Sequence, residues 1–375
     1  MTQATRIAPG LAAFAEIATP ALVIDLPVLD ANLARMAAAA MDAGVALRPH
    51  AKTHKSPDIA RRQLDAGAVG IACATIGEAE ALAARGIHGL LLTAPFGSLA
   101  TARRLLDLNQ RAPMLAVVDH PAQVELLHRA SRPSDPPVSM LVDVDVGQRR
   151  TGVANAGAGA ELAGLIAADG RFRFAGVQGY AGHVQHIVDP DERRAAAGQS
   201  SEVLARAVEA IETEGLAVPL ISGSGTGAFA FDRDGPYTEL QTGSYALMDA
   251  DYDRVRRGDG EDAAFGVALY VLATVVSASR PGQVTIDAGT KAIATNGPPP
   301  HVILGADGAR FRFGGDEHGI LDLPAGAAQL PIGTRLLLSA SHCDPTVNLH
   351  DAYRVWHPDV PLQRWPIEGR YTTTP

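Results

Sequence analysis

Two kinds of segment alternate along the chain from about Ala21 to Leu247. Short runs rich in apolar and β-branched residues are followed by segments of Ala, Leu, Glu and Arg with helical spacing. The strand-like runs cover residues 45–49, 69–73, 89–92, 114–118, 139–143, 174–180, 220–222 and 237–241. The helical stretches between them cover residues 56–66, 76–85, 100–108, 122–130, 157–168 and 192–214. This α/β pattern predicts a (β/α)8 TIM barrel, and an open doubly wound sheet, which has fewer strands, is the alternative.

The pattern changes after about Ala264. Strand-like runs then follow one another between Gly and Pro turns, with hardly any helical periodicity. They cover residues 266–279, 283–287, 310–313, 334–339 and 363–366. We therefore expect a barrel over residues 22–262 and an all-β, β-barrel-like domain made of residues 1–21 together with 263–375.

Composition limits the classes of function. Apolar residues make up 47% of the chain and charged residues 19%, as in ordinary globular proteins. The net charge of −9 argues against a nucleic-acid partner and favours chemistry on small molecules. Cys73 and Cys343 are too few for a disulfide framework, Arg6 and Glu16 interrupt any signal-peptide pattern, and the longest apolar run, 265–278, is short for a membrane span. The expectation is a cytoplasmic enzyme with no membrane partner.

The segment LRPHAKTHKS, residues 47–56, follows the first predicted barrel strand. Reactive groups of barrel enzymes lie at the carboxyl ends of strands, so Lys52 is placed where chemistry occurs. A lysine beside cations and at the end of an apolar run is readily deprotonated, which suits Schiff-base chemistry. A solvated basic loop is the alternative, and these ten residues alone do not decide between the two interpretations.

Other unusual clusters also follow predicted strands, which strengthens the case for a site. They are DVDVGQRRTG (143–152), QGYAGHVQH (178–186), SGSGTG (222–227) and ELQTGSY (239–245). The glycine-rich run exposes backbone N–H groups and carries the hydroxyls of Ser224 and Thr226, a combination that binds phosphate. On its own such a run is more often only a turn, but its position after the seventh strand is that of the phosphate site of many barrels.

The segment SASHCDPTVNLHD, residues 339–351, ends a strand-like run of the β-domain. If it is extended, His342 and Asp344 point to one face and Cys343 to the other. One imidazole and one carboxylate leave open positions on a divalent cation and suit Mg²⁺ or Mn²⁺. A helix or turn cap ahead of Pro345 is the alternative for a lone His-x-Asp.

Taken together, these motifs resemble the D-threonine aldolase / D-serine dehydratase family over nearly the whole chain. This family has the alanine-racemase-like fold and uses pyridoxal 5'-phosphate (PLP), so the resemblance implies that Lys52 holds PLP. It also implies that Arg150 hydrogen-bonds the pyridine nitrogen and that Ser224 replaces the middle glycine of a GGGTG phosphate run. The cofactor-binding residues implied by the resemblance are Lys52, Arg150, Tyr180, Ser224, Gly225, Thr226, Gly227 and Tyr245.

The resemblance further implies a divalent cation on His342 and Asp344, with His186 facing the substrate β-hydroxyl as general base. Dehydratases of the family are expected to carry His-x-Cys at the metal, so His-x-Asp favours the aldolase branch. The implied reaction cleaves a D-β-hydroxy-α-amino acid, such as D-threonine, to glycine and an aldehyde, in a homodimer. A dehydratase that releases ammonia is the alternative, and a non-catalytic PLP carrier is disfavoured because such carriers lack the β-domain. The loop 92–97 departs from the family pattern, which puts the substrate side chain in doubt.

Overall fold

The computed structural model describes residues 11–255 and 265–371, which form two sheets and the helices around them. The strands, numbered in chain order, are β1 (Ala21–Asp25), β2 (Ala46–Leu47), β3 (Ile71–Cys73), β4 (Leu90–Leu92), β5 (Met114–Val118), β6 (Val138–Asp143), β7 (Phe172–Gly179), β8 (Leu220–Gly223), β9 (Glu239–Leu240), β10 (Leu269–Arg280), β11 (Gln283–Ile286), β12 (Val302–Leu304), β13 (Arg310–Phe313), β14 (Gly319–Asp322), β15 (Arg335–Ser339), β16 (Ala352–His357) and β17 (Val360–Pro366). The helices are α1 (Leu26–Asp42), α2 (Pro57–Asp65), α3 (Ile76–Ala84), α4 (Leu99–Arg111), α5 (Pro121–Ala130), α6 (Ala156–Ala168), α7 (Pro190–Thr213), α8 (Phe229–Asp232) and α9 (Cys343–Asn348). None of these helices is long and apolar enough to cross a membrane.

The first sheet is a parallel barrel whose eight strands lie in the order β2-β9-β8-β7-β6-β5-β4-β3. Its two edges meet where a parallel bridge joins His50 to Ala72. There the Val69 N–H donates to the Leu47 carbonyl and the Ala72 N–H to the Pro49 carbonyl, each at 2.9 Å. The sheet is therefore closed, which confirms the (β/α)8 prediction and excludes the open doubly wound alternative. All eight predicted barrel strands are present. They could be predicted since short apolar runs between helices are typical of buried parallel strands.

The second sheet forms the β-domain. Its main path is β13-β14-β11-β10-β1-β16-β17, and β15 pairs with β10 and β12. Residues 22–25, which the predicted boundary assigned to the barrel, instead form β1 here, antiparallel to β10 and parallel to β16. The predicted boundary at 262–263 lies outside the described residues. The all-β architecture of the C-terminal domain is confirmed, with one short helix, α9.

A chain of buried polar side chains crosses the barrel near the carboxyl ends of its strands. Arg48 Nε lies 2.9 and 3.0 Å from the two carboxylate oxygens of Glu239, and Ser222 Oγ donates to the same carboxylate at 2.5 Å. Gln241 continues the chain to Ser222 and Gln178, and Gln178 donates to Asp143 at 2.8 Å. These bonds fix the strand ends from which the site residues project.

The ion pair between Arg48 and Glu239 gives a prediction for stability. Both side chains are almost fully buried, so Glu239→Ala leaves a buried guanidinium without its carboxylate. We expect a loss of about 3 to 5 kcal/mol in the free energy of unfolding, measured by chemical denaturation. As a control, Asp107→Ala removes one carboxylate from an exposed pair with Arg132 and should cost less than about 1 kcal/mol. Equal losses in the two variants would contradict this account of the barrel interior.

Candidate active site

Lys52 lies in a short 3-10 turn, Ala51–Thr53, directly after β2. The His50 ring accepts a hydrogen bond from the Lys52 N–H at 3.2 Å through Nδ1, and its Nε2 lies 3.0 Å from Thr93 Oγ1. The β-domain holds the same loop from the other side: the Tyr353 hydroxyl donates to the His54 carbonyl at 2.6 Å. The turn that presents Lys52 is therefore fixed by both domains.

The amine of Lys52 meets Asp344, which is 292 residues away in the sequence, and donates a hydrogen bond to its Oδ2. Burial opposes a charge on Lys52, but the Asp344 carboxylate, followed by Tyr180, holds the pKa of Lys52 above its usual value. Burial likewise opposes the Asp344 charge, and Lys52 and His342 hold the pKa of Asp344 below its usual range. The expectation of a readily deprotonated lysine is wrong for this geometry, because the Asp344 carboxylate opposite the amine stabilises its charged form, and no local sequence pattern predicts that contact.

The other lysines of the chain are unsuited to a reactive role. Lys55 is buried and donates to the buried carboxylate of Glu78, so its amine is held inside the structure. Lys291 is exposed in the β-domain, 2.6 Å from Glu317. Only Lys52, about a third exposed, combines partial access with a position at a barrel strand end.

The segment that carries His342 and Asp344 is not extended as expected. His342 is the N-cap of α9, and Asp344 lies in the first turn of that helix, so strand alternation does not explain how the two side chains come together. The helix-cap alternative is correct for the backbone, since Pro345 is tolerated in a first helical turn. His342 nevertheless lies close enough to Asp344 to lower its pKa, and its Nδ1 is 2.9 Å from Asn296 Nδ2.

Asp249 holds the start of α9 in place. Its carboxylate accepts a hydrogen bond from the Cys343 N–H at 2.7 Å and another from the Tyr252 N–H at 2.9 Å. The Ala250 N–H donates to the Ala340 carbonyl at 3.0 Å, which adds a second link between the same two segments. The end of the barrel domain thus fixes the start of α9, the segment that carries His342 and Asp344.

His186 lies beside this segment. Its ring centroid is 6.2 Å from that of His342, and its Nδ1 is 3.0 Å from Asp251 Oδ2. Burial lowers the pKa of His186, and Asp251 partly opposes that shift. Because a carboxylate faces Nδ1, that nitrogen carries the proton of the neutral ring, and Nε2 is left with a lone pair. This is the geometry of a general base whose ring is oriented by a carboxylate.

Tyr180 and Arg150 form a pair near Lys52. The Arg150 guanidinium carbon lies 5.5 Å from the centroid of the Tyr180 ring, a cation–π distance. Tyr180 also acts electrostatically on Lys52, so the two predicted cofactor residues and the lysine share one region. The adjacent Arg149 is exposed to solvent and has a positive φ of 55°.

The glycine-rich run at 222–227 forms a loop between β8 and α8. Ser224 has a φ of 70°, in the left-handed region that favours glycine, consistent with a glycine at this position in the family pattern. Its Oγ is buried and lies beside the carboxylate of Asp232. Burial raises the pKa of Asp232 to about 7, and a side-chain hydrogen bond with Ser224 partly opposes this rise. The loop thus presents a buried hydroxyl and backbone N–H groups, the kinds of donor that a phosphate group needs.

The rest of the loop contacts protein groups. Thr226 Oγ1 accepts from the Tyr245 N–H at 2.9 Å and keeps its own proton for another acceptor. The buried Tyr245 hydroxyl accepts from Gln63 Nε2 at 3.3 Å. The Gly227 N–H donates to Gln185 Oε1 at 2.9 Å, so this predicted phosphate donor is already engaged. Ser224, Gly225 and Thr226 remain the better candidates for phosphate.

The donor set fits a hard divalent cation. The described residues contain no group of three or more His, Cys, Asp or Glu side chains that could hold a metal ion. His342 and Asp344 are therefore a candidate set of two ligands. Mg²⁺ and Mn²⁺ accept such nitrogen and oxygen ligands and take their remaining ligands from water and substrate.

Sequence reasoning missed four residues of this region: Gln185, Asp249, Asp251 and Asn296. Gln185 is adjacent to His186 within a motif that was recognised, but nothing local shows that it contacts residues more than 40 positions away. The acidic run Asp249-Ala-Asp251 follows the last barrel strand and is the one local signal that was available.

Comparison with protein families supports the same interpretation. The model "Alanine racemase, N-terminal domain" matches residues 24–251, and "Putative serine dehydratase domain" matches residues 268–356. The chain belongs to the D-threonine aldolase / D-serine dehydratase family. The resemblance inferred from the motifs is therefore confirmed, and PLP is the cofactor that this family implies.

Within the family, the chain is 39% identical to a D-threonine aldolase from Arthrobacter sp, over 95% of this chain and 93% of that one. It is 36% identical to a 3-hydroxy-D-aspartate aldolase from Paracoccus denitrificans (strain Pd 1222), over 95% and 92%. The crystal structure of D-threonine aldolase from Filomicrobium marinum matches with a TM-score of 0.89 and 37% identity, over 95% and 96%. Identity to the D-threo-3-hydroxyaspartate dehydratase of Delftia sp. (strain HT23) is lower, 32% over 92% and 96%. The prediction of a lyase of the D-threonine aldolase type is confirmed at the level of the family.

Proposed function

We propose that the protein is a PLP- and divalent-metal-dependent aldolase that cleaves D-β-hydroxy-α-amino acids, with D-threonine as the model substrate, to glycine and an aldehyde. One observation carries the proposal: Lys52 of the barrel meets Asp344 of the β-domain beside His342. An amine for the cofactor and a ligand pair for the cation thus share one site, where His186 also lies.

The residues have separate tasks in this proposal. Lys52 would hold PLP through its amine, while the backbone of Gly225 and the hydroxyls of Ser224 and Thr226 would bind its phosphate. Arg150 and Tyr180, which pair with each other beside Lys52, would bind the ring, and Arg150 would supply a permanent cation to it. Bound PLP supplies an electron sink for the charge left on Cα when the Cα–Cβ bond breaks.

The base and the metal ligands act at the other end of the substrate. His342 and Asp344 would hold a divalent cation, Mn²⁺ or Mg²⁺, which would polarise the substrate β-hydroxyl. His186 Nε2 accepts the hydroxyl proton, while Nδ1–H stays hydrogen-bonded to Asp251. Breaking the bond to Cβ would release the aldehyde, and the proton lost from the hydroxyl would be balanced by the proton that Cα takes up to give glycine.

The loop 92–97 borders the site and is proposed to contact the substrate side chain. Thr93 Oγ1 lies 3.0 Å from His50, two residues before Lys52, and the Thr93 carbonyl accepts from Gln178 at 3.0 Å. A change of sequence in this loop therefore acts within one or two hydrogen bonds of the lysine turn. The homodimer and the cytoplasmic location predicted from the sequence remain predictions.

Product analysis tests the proposed function. The purified chain is incubated with PLP, Mn²⁺ and D-threonine, with and without EDTA. Acetaldehyde and glycine that disappear with EDTA support the aldolase. Ammonia and a keto acid would instead show the dehydratase that the sequence left as the alternative, and no product with any D-β-hydroxy amino acid would refute both.

The pair between His186 and Asp251 gives a further prediction. Asp251→Asn keeps the size of the side chain but removes the carboxylate that fixes the imidazole proton on Nδ1. We expect kcat to fall about ten- to a hundred-fold with little change in KM, since the ring is still present but less well oriented. Steady-state kinetics with D-threonine measures this. Asp253→Asn, at an exposed neighbouring position, is the control and should have wild-type kinetics; equal kcat values for both variants would refute the role of Asp251.

A further inference from the structure

Gln185 lies between the predicted base and the glycine-rich loop. The side chain is fully buried, and its Oε1 accepts hydrogen bonds from the N–H groups of Gly227 at 2.9 Å and Ala228 at 3.2 Å. Its Nε2 donates to the Ala181 carbonyl at 3.1 Å. One amide therefore connects the segment that ends in His186 to the loop that precedes α8.

Two of the three glycines of the run SGSGTG, Gly225 and Gly227, pack against Gln185. A Cβ on Gly225 would lie 2.5 Å from Gln185 Oε1, and a Cβ on Gly227 would lie 2.1 Å from the Gln185 carbonyl oxygen. Neither distance is sterically possible, so the loop packs directly against residue 185. The spacing of glycines in SGSGTG thus reflects Gln185 as well as any ligand.

The hydrogen bonds of Gln185 divide the loop into two parts. The N–H groups of Gly227 and Ala228 are held by Gln185, whereas the Ser224 hydroxyl lies beside the carboxylate of Asp232. Buried N–H groups that lose their acceptor are costly, so these two bonds determine how the loop is shaped. Ser224, whose backbone has the left-handed conformation, lies at the opposite end of the loop from Gly227 and Ala228.

We propose that Gln185 is a positioning residue for the phosphate group of the cofactor. Its side-chain amide fixes residues 224–228 in the conformation that binds phosphate, and the adjoining residue, His186, is positioned by the same contact. This inference rests on the proposed PLP function. It assigns to Gln185 a role that neither Lys52 nor the predicted phosphate residues supply.

The test compares PLP with pyridoxal, which has the same aldehyde and ring but no phosphate. Gln185→Met keeps the length of the side chain and removes its hydrogen bonds to the loop. The affinity of the full-length chain for each compound is measured by titrating the visible absorbance of the lysine-bound form. The control is Gln199→Met, which makes the same substitution at an exposed position of α7.

We expect the Kd for PLP to rise about tenfold or more in Gln185→Met, because two buried N–H groups lose their acceptor and the loop relaxes. The Kd for pyridoxal should stay within about twofold of the wild-type value, so the preference for the phosphate falls. Retained pyridoxal binding also shows that the variant is folded. Gln199→Met should keep the wild-type preference.

Two results would overturn the inference. One is an unchanged ratio of the two Kd values in Gln185→Met; the other is tighter PLP binding, which would mean that Gln185 competes with the phosphate for the Gly227 and Ala228 N–H groups. Failure of PLP binding itself is distinct, because then the wild-type chain binds neither compound, whereas a dehydratase in place of the aldolase would leave both Kd values measurable.

Discussion

Lys52→Ala is expected to abolish the visible absorbance of lysine-bound PLP and to lower aldolase activity by on the order of 10⁴-fold or more. The reason is that no other amine can take its place. Lys55 is buried against Glu78, and Lys291 lies in the β-domain beside Glu317. Absorption spectra with added PLP and kinetics with D-threonine measure the two effects.

Lys291→Ala is the matched control for this variant. It removes an exposed amine of the same chemistry and should leave both the absorbance and the activity unchanged. A Lys52→Ala protein that still shows the visible band, or a Lys291→Ala protein that loses it, would contradict the assignment of Lys52.

Asp344→Asn is expected to leave the cofactor band in place while lowering turnover by on the order of 10²- to 10³-fold. The substitution keeps the shape of the side chain and removes the charge that binds the cation. Because the β-hydroxyl proton then leaves without a cation beside the oxygen, the loss falls on kcat. Turnover measured against Mn²⁺ concentration should saturate in the wild type and respond weakly in the variant.

The control for the metal site is Asp359→Asn, an exposed aspartate of the β-domain. Its activity and Mn²⁺ dependence should match the wild type. If Asp344→Asn were stimulated by Mn²⁺ as strongly as the wild type, then Asp344 would not be a metal ligand, and the aldolase proposal would lose the feature that separates it from the dehydratase.

The barrel was predictable because its elements have local periodicity. Each buried strand is a short apolar run, and each covering helix repeats its apolar residues at helical spacing. β1 was not predicted as part of the second sheet, since its partners, β10 and β16, lie about 250 and more residues away along the chain. Such pairings leave no periodic trace in the sequence.

The site was predictable only in part for a related reason. Lys52, His186, His342 and Asp344 were found through motifs, and the structure brings these four into one region. Their supporting residues, Asp249, Asp251 and Gln185, act through contacts between distant segments, which a motif does not record. The extended conformation considered for residues 342–344 was wrong. An extended His-x-Asp and a capped helix use the same residue types, so the motif does not separate them, although Pro345 in the first helical turn favours the helix.

Reductive trapping of the cofactor tests the central claim most directly. The chain is loaded with PLP, reduced with borohydride and digested, and the modified peptide is located by mass spectrometry. Since Lys52, Lys55 and Lys291 are the lysines of the chain, the result is unambiguous. The account predicts a pyridoxyl group on Lys52; its presence only on Lys55 or Lys291, or on no lysine, would contradict the account.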